Sequence, residues 1–285
     1  MKREMAHDGA IEGLPAGPPA DLPASAPLRE RVRVEAASKV YTGPDGKAAR
    51  VLDKVDLSLA EGEFLSIVGP SGCGKSTLLR LISGLVPATE GRIIIAGQEV
   101  REPPPGVGFM FQRDTLLPWA SVGQNIGVAL ELNGTPPAAR PARIAELLQL
   151  LGLERYEHYK PSALSGGMRQ RAALGRLLAY GPELYLMDEP FGALDAMTKM
   201  IMGRELLRIW SRDAKSVVFV THDIEEAVGL SDRVVVMEGP PGRIKSEYRI
   251  DLPRPRDFRE VRLLPEFRRL CEMIWRDIGR HSEAE

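Results

Sequence analysis

An α/β layered core carrying a helical insertion is the fold class that this sequence predicts. Three observations carry it. Short apolar runs of strand length recur along the chain, stretches of helical spacing alternate with them, and a glycine-rich turn joins one such run to a helix. The 285 residues suffice for one large domain or two small ones with a sizeable core. With 44% hydrophobic and 27% charged residues, the chain is ordinary globular protein, neither disordered overall nor membrane-embedded.

Residues 1 to about 30 contain Pro15, Pro18, Pro19, Pro23 and Pro27, many alanines and no aromatic residue. Such a segment buries too little apolar area to offset its ordering entropy, so a flexible extension is expected. Tyr41 is the first aromatic. Glu63–Val68 reads as a buried strand ending in the glycine-rich turn, and Leu78 to Leu85 has helical spacing that stops at the Pro87 boundary. Arg92–Ile95 and Val107–Phe111 are short strands, followed by a helix-rich middle over roughly 122–178. Leu184–Met187, Val217–Val220 and Val234–Met237 are continuous apolar runs, as expected where both faces of a sheet are covered. From Leu252 a linker with Pro253, Pro255 and several arginines leads to a helix. Its Phe267, Leu270, Cys271, Ile274 and Ile278 share one face, which predicts packing on the main body.

Several function classes are excluded early. The 38 basic and 39 acidic side chains leave a net charge of −1, so no basic footprint for nucleic acid exists. Two cysteines, Cys73 and Cys271, build no disulfide framework and suggest a reducing compartment. No apolar run approaches the roughly 20 residues of a membrane-spanning helix. The N-terminus lacks the apolar core of a secretory signal, so a cytoplasmic protein is expected.

The chemistry is concentrated in a few segments. Gly69-Pro70-Ser71-Gly72-Cys73-Gly74-Lys75-Ser76, followed by Thr77, matches G-x-x-x-x-G-K-[ST] between a strand and a helix. Glycines let consecutive N–H groups converge on anionic oxygens, and the helix N-terminus adds about half a positive charge. Lys75 is expected on the β- and γ-phosphates and the Ser76 hydroxyl on Mg²⁺. Leu184-Tyr185-Leu186-Met187 ends in Asp188 and Glu189. The first carboxylate is expected beside Ser76, in the Mg²⁺ shell, and the second as general base for the attacking water. Ser165-Gly166-Gly167 opening a helix is a second phosphate-type N-terminus. Gln112 and His222 each end an apolar strand; taken singly, one reads equally as a surface amide and the other as a capped core histidine.

Together and in this order, over about residues 31–250, these segments resemble the ATP-binding subunit of ABC transporters. The resemblance implies a P-loop NTPase core with a mixed sheet, an antiparallel β subdomain and a helical subdomain at about 113–175. The ATPase domain would then occupy 31–252, and the linker and amphipathic helix 253–285. It also implies that Gly69 to Thr77 form Walker A, Gln112 the Q-loop, Leu164 to Gln170 the signature, Asp188 and Glu189 Walker B, Asp195 the D-loop and His222 the switch histidine. Gln112 would join Ser76 and Asp188 around Mg²⁺, and Tyr41 would stack on adenine, worth roughly 1–3 kcal/mol.

Phe111-Gln112-Arg113-Asp114-Thr115-Leu116-Leu117-Pro118-Trp119 and Asp188 to Asp195 look like importers of nitrate, sulfonate, taurine or bicarbonate. Gly175, where this family usually has alanine, is a departure expected to cost about 1 kcal/mol of helix propensity. The family pattern implies a homodimer on transmembrane permease subunits at the cytoplasmic face of the cell membrane, served by a substrate-binding protein. Each ATP would be completed in trans by Ser165, Gly166, Gly167 and Asp195. Leu116–Trp119 is expected in the groove for the permease's coupling helix. Exporter ATPases and soluble ABC ATPases share the motifs and are the alternatives.

Overall fold

The computed structural model describes residues 29–213 and 215–279. The extension expected at the N-terminus lies, through residue 28, outside the described residues. Strands β1 (Glu30–Thr42), β2 (Ala48–Ala60), β4 (Glu90–Ile95) and β5 (Gln98–Glu99) form an antiparallel sheet in the order β2-β1-β4-β5. Its inward positions follow the two-residue period of a strand: Val32 and Val34 on β1, then Val55, Leu57 and Leu59 on β2.

A second sheet holds β3 (Phe64–Val68), β6 (Val107–Met110), β7 (Leu184–Asp188), β8 (Ser216–Val220), β9 (Arg233–Glu238) and β10 (Arg243–Arg249). Its order is β10-β9-β3-β8-β7-β6, parallel throughout except for β10, which runs antiparallel to β9. The sheet is therefore mixed.

The helices are α1 (Lys75–Ile82), α2 (Val122–Leu132), α3 (Arg140–Leu151), α4 (Gly166–Tyr180), α5 (Ala196–Asp213), α6 (Ile224–Leu230) and α7 (Pro265–Gly279). They explain why the central strands carry no polar alternation. Leu184, Leu186, Val218 and Val220 pack with Leu78, Leu79 and Ile82 of α1 and with the inner face of the antiparallel sheet. Tyr185, Met187, Val217 and Phe219 point the other way, into the core shared with α2 to α5. Both faces are dry, so both must be apolar.

The helical region is set by specific local chemistry. Ser121 and Gln124 form a reciprocal capping box that starts α2. Gly175 on α4 meets the expectation drawn from propensity with a packing reason. A Cβ there would lie 2.6 Å from Leu151 Cδ1 and 3.2 Å from Ile126 Cδ1. The missing methyl lets α2 and α3 approach α4, and this offsets the intrinsic cost of glycine in a helix.

The tail packs onto the body. Phe267, Leu270 and Ile274 of α7 are buried against Val68, Val234 and Val236, with Cys271 and Ile278 half-buried beside them. The linker is stapled by buried Arg256, whose guanidinium donates to the carbonyls of Ser231, Ile250 and Leu252. Ile274→Ala should therefore cost about 2–5 kcal/mol, as a large-to-small change in a dry core does. Urea unfolding measures this directly, and a loss below about 1 kcal/mol would mean that α7 is not part of the fold's core.

Candidate active site

β3 ends at Val68, and residues 69–74 turn the chain into α1. The turn is squeezed between two neighbours. At Gly69, with φ of +152°, a Cβ would lie 2.3 Å from the Met237 carbonyl oxygen, so only glycine lets the loop pass β9. On its other side Gly242 pairs with β2: its N–H donates to the Val51 carbonyl at 2.8 Å, and the Asp53 N–H donates to its own at 3.0 Å. Ser71 and Gly72 face solvent, whereas Cys73 is buried. Lys75, 7% exposed, folds back so that Nζ donates to the Gly69 and Pro70 carbonyls, each at 2.8 Å. The first intrahelical bond runs from Leu78 N to the Gly74 carbonyl, so the N–H groups of Lys75, Ser76 and Thr77 remain at the positive end of the helix. An anion is the natural ligand of such an end.

Ser76 Oγ donates to Asp188 Oδ1 at 2.8 Å. Asp188 closes β7 at 1% exposure, and burial raises its pKa against the pull of the Ser76 hydrogen bond, with the Glu189 charge adding to the rise. The donors here are oxygens. Among the described residues no cluster of three or more His, Cys, Asp or Glu could cage a metal by itself. Such a pair suits a hard divalent cation that keeps most of its shell as water and phosphate oxygens.

Glu189 follows in the left-handed region, with φ of +48°. A non-glycine residue is held there only by what surrounds it. Its N–H donates to the Val220 carbonyl at 2.9 Å, and its own carbonyl accepts from Gly192 N at 3.1 Å and Gln170 Nε2 at 3.4 Å. The turn aims the side chain along the carboxyl ends of β6, β7 and β8. There Glu189 Oε2 lies 3.3 Å from Gln112 Nε2 and 3.2 Å from His222 Nδ1. Gln112 and His222, 77 and 33 positions from Glu189 in sequence, thus meet at one of its oxygens. His222 is exposed, so it is no core histidine.

The remaining sequence-predicted residues lie elsewhere. Ser165 caps α4, accepting from Met168 N at 3.3 Å, and with Gly166 it is exposed. Gly167 packs beside the 192–195 turn, where a Cβ would sit 3.3 Å from the Ala193 carbonyl. Asp195 caps α5 by accepting from Thr198 N and Thr198 Oγ1 at 3.0 and 2.6 Å, and these bonds hold its pKa down. Among the described residues, the side-chain bonds of Ser165 and Asp195 stay within their own turns. Tyr41 stands 38% exposed near the end of β1, with Lys39 Nζ 5.1 Å from its ring centroid.

Other contacts tie these segments together and were not foreseen from sequence. Arg169 Nε donates to Asp114 Oδ2 at 2.9 Å, and Arg176 donates to the Thr115 carbonyl and hydroxyl at 2.8 Å each. The segment behind Gln112 is thereby clipped to the helix that Ser165 opens. The seven-residue spacing of Arg169 and Arg176, which puts them on one face of the helix, was the available signal. Buried Asn125 pins the following loop, accepting from Leu117 N and donating to the Leu117, Ala120 and Ser121 carbonyls.

Within Leu116–Trp119, Leu116 is core and Trp119 is exposed. Neither lines the groove formed between β6, α2 and α4. That groove, of about 250 Å³, is lined by Phe109, Phe111, Val128, Leu132, Arg176 and Tyr180 among others.

A glycine-built anion loop facing a carboxylate pair at the ends of parallel strands defines a nucleoside-triphosphate hydrolase. The chain belongs to the ABC transporter family, whose model matches residues 52–192, and it is an ATP-binding and ATP-hydrolysing cassette. It is 46% identical over 250 residues to an uncharacterized ABC transporter ATP-binding protein of Methanocaldococcus jannaschii, covering 88% of this chain and 93% of that one. A taurine import ATP-binding protein of Rhizobium johnstonii is 42% identical, over 85% of this chain and 94% of its own. Among solved structures, the dimeric post-hydrolysis state of an ATP-binding cassette bound to ADP and Pi superposes with a TM-score of 0.72 at 32% identity. It covers 78% of this chain and 100% of that one.

Gly69→Ala puts a methyl against a backbone carbonyl that cannot yield without moving β9. ATP affinity should fall by about tenfold or more, equivalent to at least 1.4 kcal/mol. Titration with a fluorescent ATP analogue measures it, and affinity equal to that of the unaltered protein would remove the loop from the binding site.

Proposed function

We propose that this chain is the ATPase subunit of an importer of a small anion such as nitrate, sulfonate or taurine. It works as a head-to-tail homodimer beneath transmembrane permease subunits, peripheral to the cytoplasmic face of the cell membrane. The observation that carries the ATPase reading is the shared oxygen of Glu189, contacted by Gln112 and His222 beside the Ser76–Asp188 pair. The importer reading is supported by the taurine-import relative and by the segments around Gln112 and Asp188.

In this reading the loop from Gly69 to Thr77 cradles the phosphates through its N–H groups, and Lys75 exchanges the carbonyls it now holds for phosphate oxygens. Ser76, Asp188 and Gln112 would hold Mg²⁺, which when bound offsets phosphate charge. Glu189 accepts the proton of the attacking water, and His222 fixes the γ-phosphate side of the site. Tyr41 stacks on the adenine.

Ser165, Gly166 and Asp195 are exposed, and the side-chain bonds of Ser165 and Asp195 stay in their own turns; in this reading they and Gly167 serve the site of a second copy. ATP then touches both copies only when they are closed together. Its differential affinity for the closed state drives association, and hydrolysis removes the bridge. A helix of the permease, which a binding protein supplies with substrate, docks in the groove of Phe109, Phe111 and exposed Leu132. Gln112 leads into that groove's wall through the Arg169 and Arg176 clips, so a shift at the phosphate side is felt where the permease sits.

Glu189→Gln removes the base and keeps the shape. Phosphate release should fall by 10²-fold or more, while ATP drives a stable dimer visible by size-exclusion chromatography. An unchanged hydrolysis rate would overturn the assignment of the base.

A further inference from the structure

We infer that Lys199 is a positioning residue for His222, tying the Asp195 turn to the end of β8 through the buried carboxylate of Glu226. The inference rests on the reading above, in which His222 faces the γ-phosphate and Asp195 meets a second copy.

Lys199 lies in the first turn of α5, and its N–H donates to the Asp195 carbonyl at 2.9 Å. Asp195 in turn accepts from Thr198, so the residue that faces outward and the lysine share one rigid turn. Lys199 Nζ crosses to α6, 2.9 Å from Glu226 Oε1 and 3.6 Å from Asp223 Oδ2. Glu226 Oε2 accepts from Thr221 Oγ1 at 2.7 Å, and that hydroxyl accepts from Asp223 N at 3.0 Å. Thr221 and Asp223 are the two neighbours of His222. Asp223 spends its other oxygen capping α6, on the N–H groups of Glu225 and Glu226. Both peptides that carry His222 are therefore anchored to one ion pair, while the imidazole itself remains exposed.

The pair is more than packing. Glu226 is 4% exposed, and burial raises its pKa against the pull of the Lys199 ammonium and the Thr221 hydrogen bond. Burial alone would lower the Lys199 pKa, but Glu226 and then Asp223 raise it. Buried ion pairs contribute little net stability compared with apolar residues of equal volume, whereas they fix relative position well. Here the fixed distance is that between the Asp195 turn and the strand end that presents His222. A second copy that displaces Asp195 moves the Lys199 ammonium with it, and so shifts the backbone on both sides of His222.

The test uses the full chain. Lys199→Met should lower kcat about tenfold or more, as small misplacement of a catalytic group does, with KM for ATP within about twofold. Lys199→Arg should restore most of the rate. Lys199→Met leaves Glu226 buried without a cation and could unfold the protein, so the double variant Lys199→Met/Glu226→Gln is measured beside it. That pair leaves no buried charge and keeps a hydrogen-bonding group for Thr221. It should remain folded and stay about tenfold slow. A double variant with the kcat of the unaltered protein would overturn the inference, and so would rate losses that merely track the folded fraction. ATP-driven dimerisation of Glu189→Gln is run in parallel. Its failure would sink the two-copy reading, whereas a normal dimer with a fast double variant would sink only the link.

Discussion

A carboxylate held almost out of water at the tip of a strand is the constraint on which the rest of this structure depends. Asp188 is 1% exposed and takes its hydrogen bond from Ser76, a residue of the loop it faces. Burial favours its neutral form, so the site is tuned for a positive charge brought from outside. To keep Asp188 and Ser76 at 2.8 Å, the ends of β3 and β7 must hold register across β8, which lies between them. That register is enforced by dry packing on both faces of the sheet, from α1 on one side and α2 to α5 on the other. The extended core thus sets a local distance.

The helical region is rigidly referenced to this sheet through α4. Gln170 reaches the Glu189 carbonyl, Arg169 reaches Asp114, and Arg176 reaches Thr115. One helix therefore touches the turn that aims the acid, the segment behind Gln112, and, at its capped end, the surface that Ser165 presents. Gly175 serves the same helix by letting α2 and α3 close on it. The burial of Arg176 lowers its pKa, yet the Thr115 bonds keep its guanidinium fully engaged.

What was legible in the sequence was whatever depends on contiguous residues. The glycine loop announces itself because strand, glycines and helix start are consecutive, and the apolar runs of β7 and β8 state that both faces are covered. Pairings across long separations were legible only where a motif fixed both ends, as for Ser76 and Asp188, 112 residues apart. The Asp114–Arg169 and Lys199–Glu226 pairs carry no local signature, since each joins charges of two segments that no motif relates. The antiparallel sheet came from family resemblance, because β1 and β2 alternate too weakly around their bulges for periodicity to separate them from loop. In Leu116–Trp119, apolar composition does not tell the buried Leu116 from the exposed Trp119, and Asn125 fixes that loop's path.

Cys73 shows how the tight seating of the loop shapes its chemistry toward oxidants. The residue lies in the phosphate-binding turn, yet its side chain is fully buried, and Gly242 crosses its carbonyl so closely that a Cβ at Gly242 would lie 2.1 Å away. Burial raises the thiol's pKa despite the nearby Lys75 ammonium, so little thiolate forms. Peroxides and alkylating reagents attack the thiolate, and burial here disfavours both that anion and their approach to it. The loop thus carries its sulfur on the side turned into the core, away from solvent.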